Sequence, residues 1–384
     1  MSIKQIAKKV IKKILRSLNY DMLRKAPVPQ EKIFLRNDYN KIISIYDALN
    51  DDLSKSLFFA QLEYSVTKNF GKVYELLIKR NDIVNENNIL SLLKNNLVMQ
   101  SDKIILLGDG KNDWHAEILL KSLGYLNIKV SKICNTNQSG FYEVDNISFD
   151  ELVNFPDAKI IMYTLDGFVQ KPILVKKGLK ADNLYILLQE ISTEYFDSDI
   201  MIPGEHEVFV DGGVCDFKTS LDFIKWCKNN YDAIYGFEPD DVCFKKTQER
   251  IISNPEIDSS KIKMYKAGCW SKSTNLQFIS DGRGGSSINI NGGNSIKVIA
   301  IDTVVPKDKR VTFIKLDVEG AELESLKGAK ETIKRCRPKL AICIYHKPED
   351  ILELPSYILS LHSDYKMYIR HYQHFIYENV LLCV

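Results

Sequence analysis

The chain has 384 residues, which is long enough for two domains of ordinary size, and its 45% hydrophobic and 27% charged residues are typical of a soluble globular protein. A net charge of +2 provides no overall attraction to nucleic acid. The eight cysteines show neither a C-x-x-C motif nor zinc-type spacing with histidine, which predicts reduced thiols in a cytoplasmic protein. No apolar stretch reaches the roughly 18 residues that a membrane span needs.

Residues 1–25 predict a basic amphipathic helix, with eight basic residues against one acid. Its apolar stripe consists of Ile3, Ile6, Val10, Ile14 and Leu18. A signal peptide needs an uninterrupted apolar run. Lysines interrupt the apolar residues here, which argues against a signal peptide. Two interpretations stay open. The helix packs on its own domain or on a partner, or it lies on an anionic membrane surface and makes the protein peripheral at the inner membrane face.

Residues 1–100 read as a helical segment, because apolar residues in 33–99 recur three and four positions apart. Alternating strands and helices then predict a smaller Rossmann-like α/β domain over residues 101–200. Its predicted strands and helices are KIILLG (103–108), DWHAEILLKSLGY (113–125), NIKVSKIC (127–134), SFDELVNF (148–155), AKIIMYT (158–164), a helix near 168–179 and LYILL (184–188).

The stretch LGDGKND (107–113) resembles a weak dinucleotide-binding loop. Gly108 and Gly110 fit the pattern, but Asp113 stands where a third glycine belongs, and its carboxylate would repel a pyrophosphate. The second strand ends in Cys134 and Asn135, without an acid to hold a ribose. We therefore expect this domain to lack ordinary dinucleotide binding and to serve in substrate positioning or assembly.

A polar linker near 192–206 precedes a second alternating series, which predicts a domain over residues 201–384. The predicted strands are EVFVD, AIYGFE, KIKMYKA, VTFIKLD, KLAICIYH, YKMYIR and NVLLCV, and the predicted helices lie near 218–230, 240–252, 321–335 and 349–361. Because no helix separates the last two strands, we expect a hairpin at the edge of a seven-stranded sheet.

The first loop of this series, VFVDGGVCDFKTS (208–220), suits a nucleotide-type cofactor. Asp211 ends the first strand, and Glu238 ends the second, where a carboxylate accepts hydrogen bonds from ribose hydroxyls. A dinucleotide needs three glycines around its pyrophosphate, but Phe217 replaces the third. S-adenosylmethionine has no phosphate, and its ammonium suits an acid at the first strand end. The spacing therefore favours a methyl donor over NAD.

Motifs along residues 207–384 resemble the FkbM family of S-adenosylmethionine-dependent methyltransferases. They occur in the family's order: VFVDGG, YGFEPD, AGCWS (267–271), GGSSI (284–288), FIKLDVEGAELESLKGAKETI (313–333), RPKLAICIYHKPEDI (337–351) and YKMYIRHY (365–372). The resemblance implies a seven-stranded methyltransferase fold and an activity that usually methylates oxygen atoms in natural-product or cell-surface glycan pathways. The family generally has glycine at the position of Phe217, so we expect this residue to weaken cofactor binding.

Several cofactor-binding residues follow from the resemblance. It implies that Asp211, Gly212 and Gly213 line the methionine end of the cofactor and that Glu238 holds the ribose. It also implies that the residues after the third strand border the adenine: Gly268, Cys269 and Trp270. An alternative for Trp270 is an ordinary core or rim aromatic residue.

The catalytic candidates are polar residues at the ends of later strands. Period two places Lys315, Asp317 and Glu319 on one strand face, where the two acids could bind a divalent metal or share a proton. A structural alternative is a buried Lys315–Asp317 pair with Glu319 at a helix amino terminus. His346 follows an apolar strand and suits a general base, with His371 as a second candidate.

Taken together, the sequence predicts an S-adenosylmethionine-dependent O-methyltransferase, acting on a sugar hydroxyl of a small-molecule or lipid-linked glycan acceptor. An NAD-dependent oxidoreductase is one alternative, and a catalytically degenerate binding or scaffold protein is another. No nucleic-acid partner is expected. The acceptor's identity, a metal requirement and a homo-oligomeric state stay open.

Overall fold

The computed structural model divides the described chain into two compact units. The described residues are 39–79, 103–108, 113–134, 144–163, 167–187, 194–255, 257–279, 287–288, 294–372 and 379–384. The large unit comprises residues up to 55, 192–370 and 378–384, and the small unit comprises 56–191 and 371–377. The basic segment 1–25 lies outside the described residues, and the three-domain division of the sequence analysis stays a prediction.

Both units combine helices with strands. The helices are α1 (Tyr39–Ala48), α2 (Asp52–Thr67), α3 (Gly71–Leu77), α4 (Asp113–Tyr125), α5 (Gly167–Lys176), α6 (Lys218–Trp226), α7 (Asp241–Ser253), α8 (Ile301–Val304), α9 (Glu322–Gly328), α10 (Lys330–Cys336) and α11 (Asp350–Leu361), with 3₁₀ turns at Asp150–Asn154, Ala181–Asn183 and Ser259–Lys261. The strands are β1 (Ile104–Leu107), β2 (Lys132–Cys134), β3 (Asp145–Ile147), β4 (Lys159–Met162), β5 (Leu184–Ile186), β6 (Glu207–Gly212), β7 (Tyr231–Phe237), β8 (Ile262–Tyr265), β9 (Gly268–Cys269), β10 (Thr274–Ile279), β11 (Ser287–Ile288), β12 (Asn294–Ile299), β13 (Phe313–Leu316), β14 (Lys339–Cys343), β15 (Met367–His371) and β16 (Asn379–Cys383).

The small unit contains a five-stranded parallel sheet in the order β3-β2-β1-β4-β5. Its central strand β1 is buried along its whole length, as expected for an apolar strand covered on both faces. The predicted parallel sheet is therefore confirmed, whereas β3 was not predicted because its residues are polar and partly exposed. Residues 109–112 of the LGDGKND loop lie outside the described residues.

The large unit contains a seven-stranded sheet in the order β15-β16-β14-β13-β6-β7-β8. Neighbouring strands from β14 to β8 run parallel, and β16 pairs antiparallel with β14. The predicted mixed α/β fold with a seven-stranded sheet is confirmed. The chain builds one side of the sheet from β6 to β8 and then returns to β13 beside β6. Ligands bind at such a switch point, outside the carboxyl ends of the strands.

Residues 39–55 belong to the large unit, although they are far from it in sequence. Helix α1 packs against α11, and Lys41 lies 2.6 Å from Glu353. Asp51 accepts a hydrogen bond from the Ser54 backbone N–H at 2.7 Å, which caps the start of α2. The same carboxylate forms an ion pair of 2.6 Å with Arg370 of β15. These contacts anchor the segment to the edge of the seven-stranded sheet.

A four-stranded sheet in the order β11-β10-β12-β9 follows β8 in the chain. Strand β10 pairs antiparallel with β12, and β12 pairs parallel with β9. The sequence analysis predicted no strands in this region, because they are short and carry many polar residues. The added sheet forms one wall of the cleft described below.

Across the described ranges, no helix has both the length and the apolar character that crossing a membrane requires.

Candidate active site

A cleft of about 220 Å³ lies at the carboxyl ends of the strands of the seven-stranded sheet, where the strand order reverses. Six strands contribute residues to it directly or through the turns that follow them: β6, β7, β9, β10, β12 and β13. The lining residues are Gly213, Cys215, Phe237, Glu238, Pro239, Cys243, Gly268, Cys269, Phe278, Ile296, Asp317, Val318, Glu319 and Ala321. Its position matches the ligand site expected for a sheet with this strand order.

The floor of the cleft is a glycine turn after β6. Gly213 has φ +80°, and a Cβ at this position would lie 1.8 Å from the carbonyl oxygen of Asp317. A Cβ on Gly212 would lie 2.7 Å from the Leu316 side chain. Only glycine fits at Gly213, because both the backbone angle and the neighbouring carbonyl exclude a side chain. The absence of a side chain therefore lets the turn pack directly against the end of β13 at the base of the cleft.

Asp211 lies beneath this turn and is fully buried, so it is not among the cleft-lining residues. Its Oδ1 lies 3.2 Å from Lys315 Nζ, and its Oδ2 accepts a 2.7 Å hydrogen bond from Ser220. Burial raises the pKa of Asp211, against the opposing effects of Lys315 and Ser220. The buried ion pair of Lys315 is thus made with Asp211 and not, as the structural alternative had it, with Asp317.

Lys315 also holds the glycine turn from below. Its ammonium donates hydrogen bonds to the carbonyl oxygens of Gly212 at 3.1 Å and Gly213 at 2.6 Å. Strand register explains the arrangement, because Lys315 of β13 stands opposite Asp211 of β6. Asp211 and Lys315 therefore support the cleft from within the sheet.

Glu238 lines the cleft at the end of β7 and is 6% exposed. Its two carboxylate oxygens accept hydrogen bonds of 2.8 Å from the backbone N–H groups of Cys215 and Asp240. Burial raises its pKa, although these two hydrogen bonds oppose the change. Each oxygen has a second lone pair, so the fixed carboxylate can still accept a hydrogen bond from a bound hydroxyl.

Opposite the acids, the cleft has an apolar wall. Gly268 and Cys269 of β9 contribute to it, as the sequence analysis expected of residues after the third strand. Phe278 of β10 and Ile296 of β12 complete the wall, and both were missed because the four-stranded sheet was not predicted. Trp270 is not a lining residue; its backbone N–H bonds Ile299 in the sheet. The wall is suited to a flat, apolar ring.

Phe217 occupies the residue before α6 with φ +70°, in the left-handed region. An L side chain is unfavourable in this conformation, whereas glycine adopts it readily. The phenyl ring is fully buried and does not line the cleft. Phe217 is therefore a packed element of the protein core.

The far end of the cleft carries a cluster of two acids and a histidine. Asp317 and Glu319 follow β13 and line the cleft, and His346 follows the neighbouring strand β14. His346 Nε2 lies 3.6 Å from Asp317 Oδ1 and 3.4 Å from Glu319 Oε2. The structure thus brings together three of the four catalytic candidates, which we call the acid–histidine cluster.

Three further residues contact the acid–histidine cluster and fix its side chains. The sequence analysis did not identify them as functional residues. Glu322, fully buried in the first turn of α9, lies 2.9 Å from His346 Nδ1. Tyr195 and Tyr345 donate hydrogen bonds to the Asp317 carboxylate at 3.0 Å and 3.3 Å. In sequence, Glu322 resembles an ordinary acid of a helix amino terminus, Tyr195 lies in the linker, and Tyr345 lies in a quoted motif but has no chemistry that marks it out.

The cluster sets the charges of its members. Burial by itself would raise the pKa of Asp317, but Lys315, His346 and the Tyr195 hydrogen bond hold it below its usual range. Burial would lower the pKa of His346, but Glu322, Asp317 and Glu319 raise it to about 9. The imidazole in this arrangement therefore carries a proton near neutral pH, which counts against His346 as a base in the metal-free site.

His371 does not line the cleft. It belongs to the small unit, is fully buried, and its ring lies 5.3 Å from that of Phe70. The sequence analysis placed it at a strand end, and it does end β15. Because β15 is the edge strand beyond β16, that end is remote in sheet order from the switch point between β6 and β13.

Residues 211–374 match the family model "Methyltransferase FkbM domain". The crystal structure of methyltransferase FkbM from Methylobacillus flagellatus is similar in fold, with a TM-score of 0.50 and 20% identity, over 87% of this chain and 99% of that chain.

A structure from Clostridium thermocellum, provisionally described as an rRNA-methylase, matches 48% of this chain and 88% of its own, with 12% identity and a TM-score of 0.31. The TM-score is too low for an argument about fold or function. No curated protein sequence matches this chain.

Proposed function

We propose that the protein is an S-adenosylmethionine-dependent O-methyltransferase. The observation that carries the proposal is the single cleft shared by a glycine turn, the Glu238 carboxylate and the acid–histidine cluster. A donor pocket must open directly onto the groups that handle the acceptor, because methyl transfer needs in-line placement of the two reactants.

The residues present fit the proposed donor. The glycine turn lines the cleft at Gly213 and would lie beside the amino-acid end of the donor, and Glu238 would hold its ribose hydroxyls. Its adenine would lie against the apolar wall that includes Phe278 and Ile296. When bound, the donor supplies an electrophilic methyl group on a sulfonium.

The protein's own groups must bind the acceptor hydroxyl and accept its proton. Asp317 and Glu319 face the cleft, and Tyr195 and Tyr345 fix the orientation of Asp317. Because His346 is protonated near neutral pH, the two carboxylates are the proton acceptors that the metal-free cluster offers. A sugar hydroxyl of a glycan or related small molecule remains our proposal for the acceptor, and it rests on the family resemblance.

S-adenosylhomocysteine is expected to raise the melting temperature of the protein, and NADH is not. A ligand at 100 times its dissociation constant adds about 2.7 kcal/mol to the free energy of unfolding, which a melting scan detects.

Glu238→Gln should weaken the binding of S-adenosylhomocysteine about tenfold or more, since a charged acceptor is lost. The exposed Glu249 provides the control, as Glu249→Gln should leave binding unchanged. If NADH alone stabilised the protein, the result would instead support the alternative function, an NAD-dependent oxidoreductase.

Phe217→Gly is expected to lower the free energy of unfolding by about 2–4 kcal/mol. Losing a buried phenyl ring costs about 3–5 kcal/mol, and release of the left-handed backbone offsets about 1 kcal/mol of that. Urea unfolding measures the change, with Phe217→Leu as the control that keeps most of the apolar volume. We expect no gain in affinity for S-adenosylhomocysteine, because the ring does not line the cleft. Tighter binding at unchanged stability would show that the ring crowds the donor.

A further inference from the structure

Asp317, Glu319 and His346 form a set of potential metal ligands at the wall of the cleft. One ligand atom from each residue can be chosen so that all lie within 4.8 Å of one another. The side chains are 26%, 31% and 10% exposed, so the two acids reach solvent while the imidazole is nine-tenths buried. Two carboxylates and one imidazole are a donor set that borderline divalent metals bind.

The distances fit a bound cation. His346 Nε2 lies 3.6 Å and 3.4 Å from the nearest oxygens of Asp317 and Glu319. Ligand atoms about 2.0–2.2 Å from a shared metal are separated by roughly 3.0–3.4 Å in octahedral or tetrahedral geometry. The two distances from Nε2 are therefore within a few tenths of an ångström of those at a shared ion, and the Asp317 and Glu319 oxygens lie within 4.8 Å of each other.

The orientation of His346 is the second observation that points to a ligand. Its Nδ1 lies 2.9 Å from the buried Glu322, whose Oε1 also accepts a hydrogen bond of 2.9 Å from the Val318 backbone. The opposite ring nitrogen, Nε2, is buried, points at the two acids, and makes no hydrogen bond within the described part of the chain. A carboxylate that holds one imidazole nitrogen while the other faces a metal is the usual arrangement at histidine-bound metal sites.

We propose that Asp317, Glu319 and His346 bind a divalent cation of the Mn²⁺ or Zn²⁺ type, with Glu322 as the positioning residue behind His346. Binding displaces the proton from Nε2, because a ligating histidine must be neutral. Because Asp317 and Glu319 line the cleft, the cation would lie beside the acceptor hydroxyl and would make that hydroxyl lose its proton more readily. This role in the reaction rests on the proposed methyl transfer, whereas the cation site itself does not.

Calorimetry and electron paramagnetic resonance with Mn²⁺ test the proposal on the full chain after chelator treatment. One Mn²⁺ should bind per chain, and His346→Ala and Asp317→Asn should each abolish or strongly weaken that binding. Glu322→Gln should weaken it by about 10–100-fold, as expected for a residue that orients a ligand. His362→Ala is the matched control, because that ring lies 4.0 Å from one carboxylate, Asp364, outside any three-ligand group among the described residues.

Two results would overturn the cation site: no binding of Mn²⁺ or Zn²⁺ by the wild-type chain up to about 1 mM, or equal Mn²⁺ affinity in the wild-type and His346→Ala proteins. Melting scans with S-adenosylhomocysteine, run on every variant, show whether each remains folded. They also separate the two proposals, since a chain that binds Mn²⁺ but not S-adenosylhomocysteine keeps the cation site and loses the methyltransferase assignment.

Discussion

Replacing His346 with alanine is expected to lower turnover by about 10²–10⁴-fold. The substitution removes the imidazole that lies within 3.6 Å of both cleft carboxylates, and with it either a proton-handling group or a cation ligand. The repulsion between the two acids is then no longer offset by the imidazolium. The measurement is the initial rate of S-adenosylhomocysteine formation with a sugar-containing small-molecule extract as the acceptor.

Binding of S-adenosylhomocysteine should survive this change, because His346 does not line the cleft. The control is His362→Ala, a histidine of the same unit, which should keep full turnover. Asp317→Asn should resemble His346→Ala, since Asp317 contacts the same imidazole. Full activity of both variants would mean that proton removal does not limit the rate and that placement of the reactants carries the catalysis.

Replacing Lys315 with methionine is expected to lower the free energy of unfolding by about 3–5 kcal/mol. Lys315 is fully buried, and its ammonium lies 3.2 Å from the equally buried Asp211. Burial would lower the pKa of Lys315, but the charges of Asp211 and Asp317 raise it instead, so the lysine is charged. Its removal leaves the buried Asp211 carboxylate without a counter-charge and takes one hydrogen-bond donor from the carbonyl groups of Gly212 and Gly213.

Urea unfolding of three variants tests the origin of this effect. The double variant Asp211→Leu/Lys315→Met should recover a large part of the lost stability, because replacing both members of a buried ion pair removes the unpaired charge. Lys245→Met removes an exposed partner 3.9 Å from Glu249 and should change stability by less than about 1 kcal/mol. If Lys315→Met were as mild as Lys245→Met, the buried pair would not stabilise the sheet.

Much of the large unit was predictable because its strands are short apolar runs separated by amphipathic helices. All seven strands of its main sheet were identified, as were the acids at their ends. The four-stranded sheet was missed, since β10 and β12 alternate polar and apolar residues over only a few positions. That omission concealed Phe278 and Ile296, and with them one wall of the cleft.

The roles of individual side chains depended on facts that a single sequence does not contain. Asp211 and Lys315 are separated by about a hundred residues, and only the strand order places them opposite each other. The role of Glu322 as a partner of His346 can be recognised only when it is known that α9 starts beside the end of β14. At Phe217 the sequence revealed the missing glycine, but the left-handed backbone and the buried ring became visible only in three dimensions.

The close approach of Gly213 to the carbonyl of Asp317 limits how the range of substrates can evolve. The Asp317 backbone N–H also bonds the Gly212 carbonyl at 3.1 Å, so the end of β13 and the glycine turn form one rigid piece of main chain. Changes at Asp317 or Gly213 should therefore alter both halves of the cleft together. Tyr195 and Tyr345 donate hydrogen bonds to the Asp317 side chain, so substitutions at these tyrosines can reorient the acid while the main chain of the donor half stays constant.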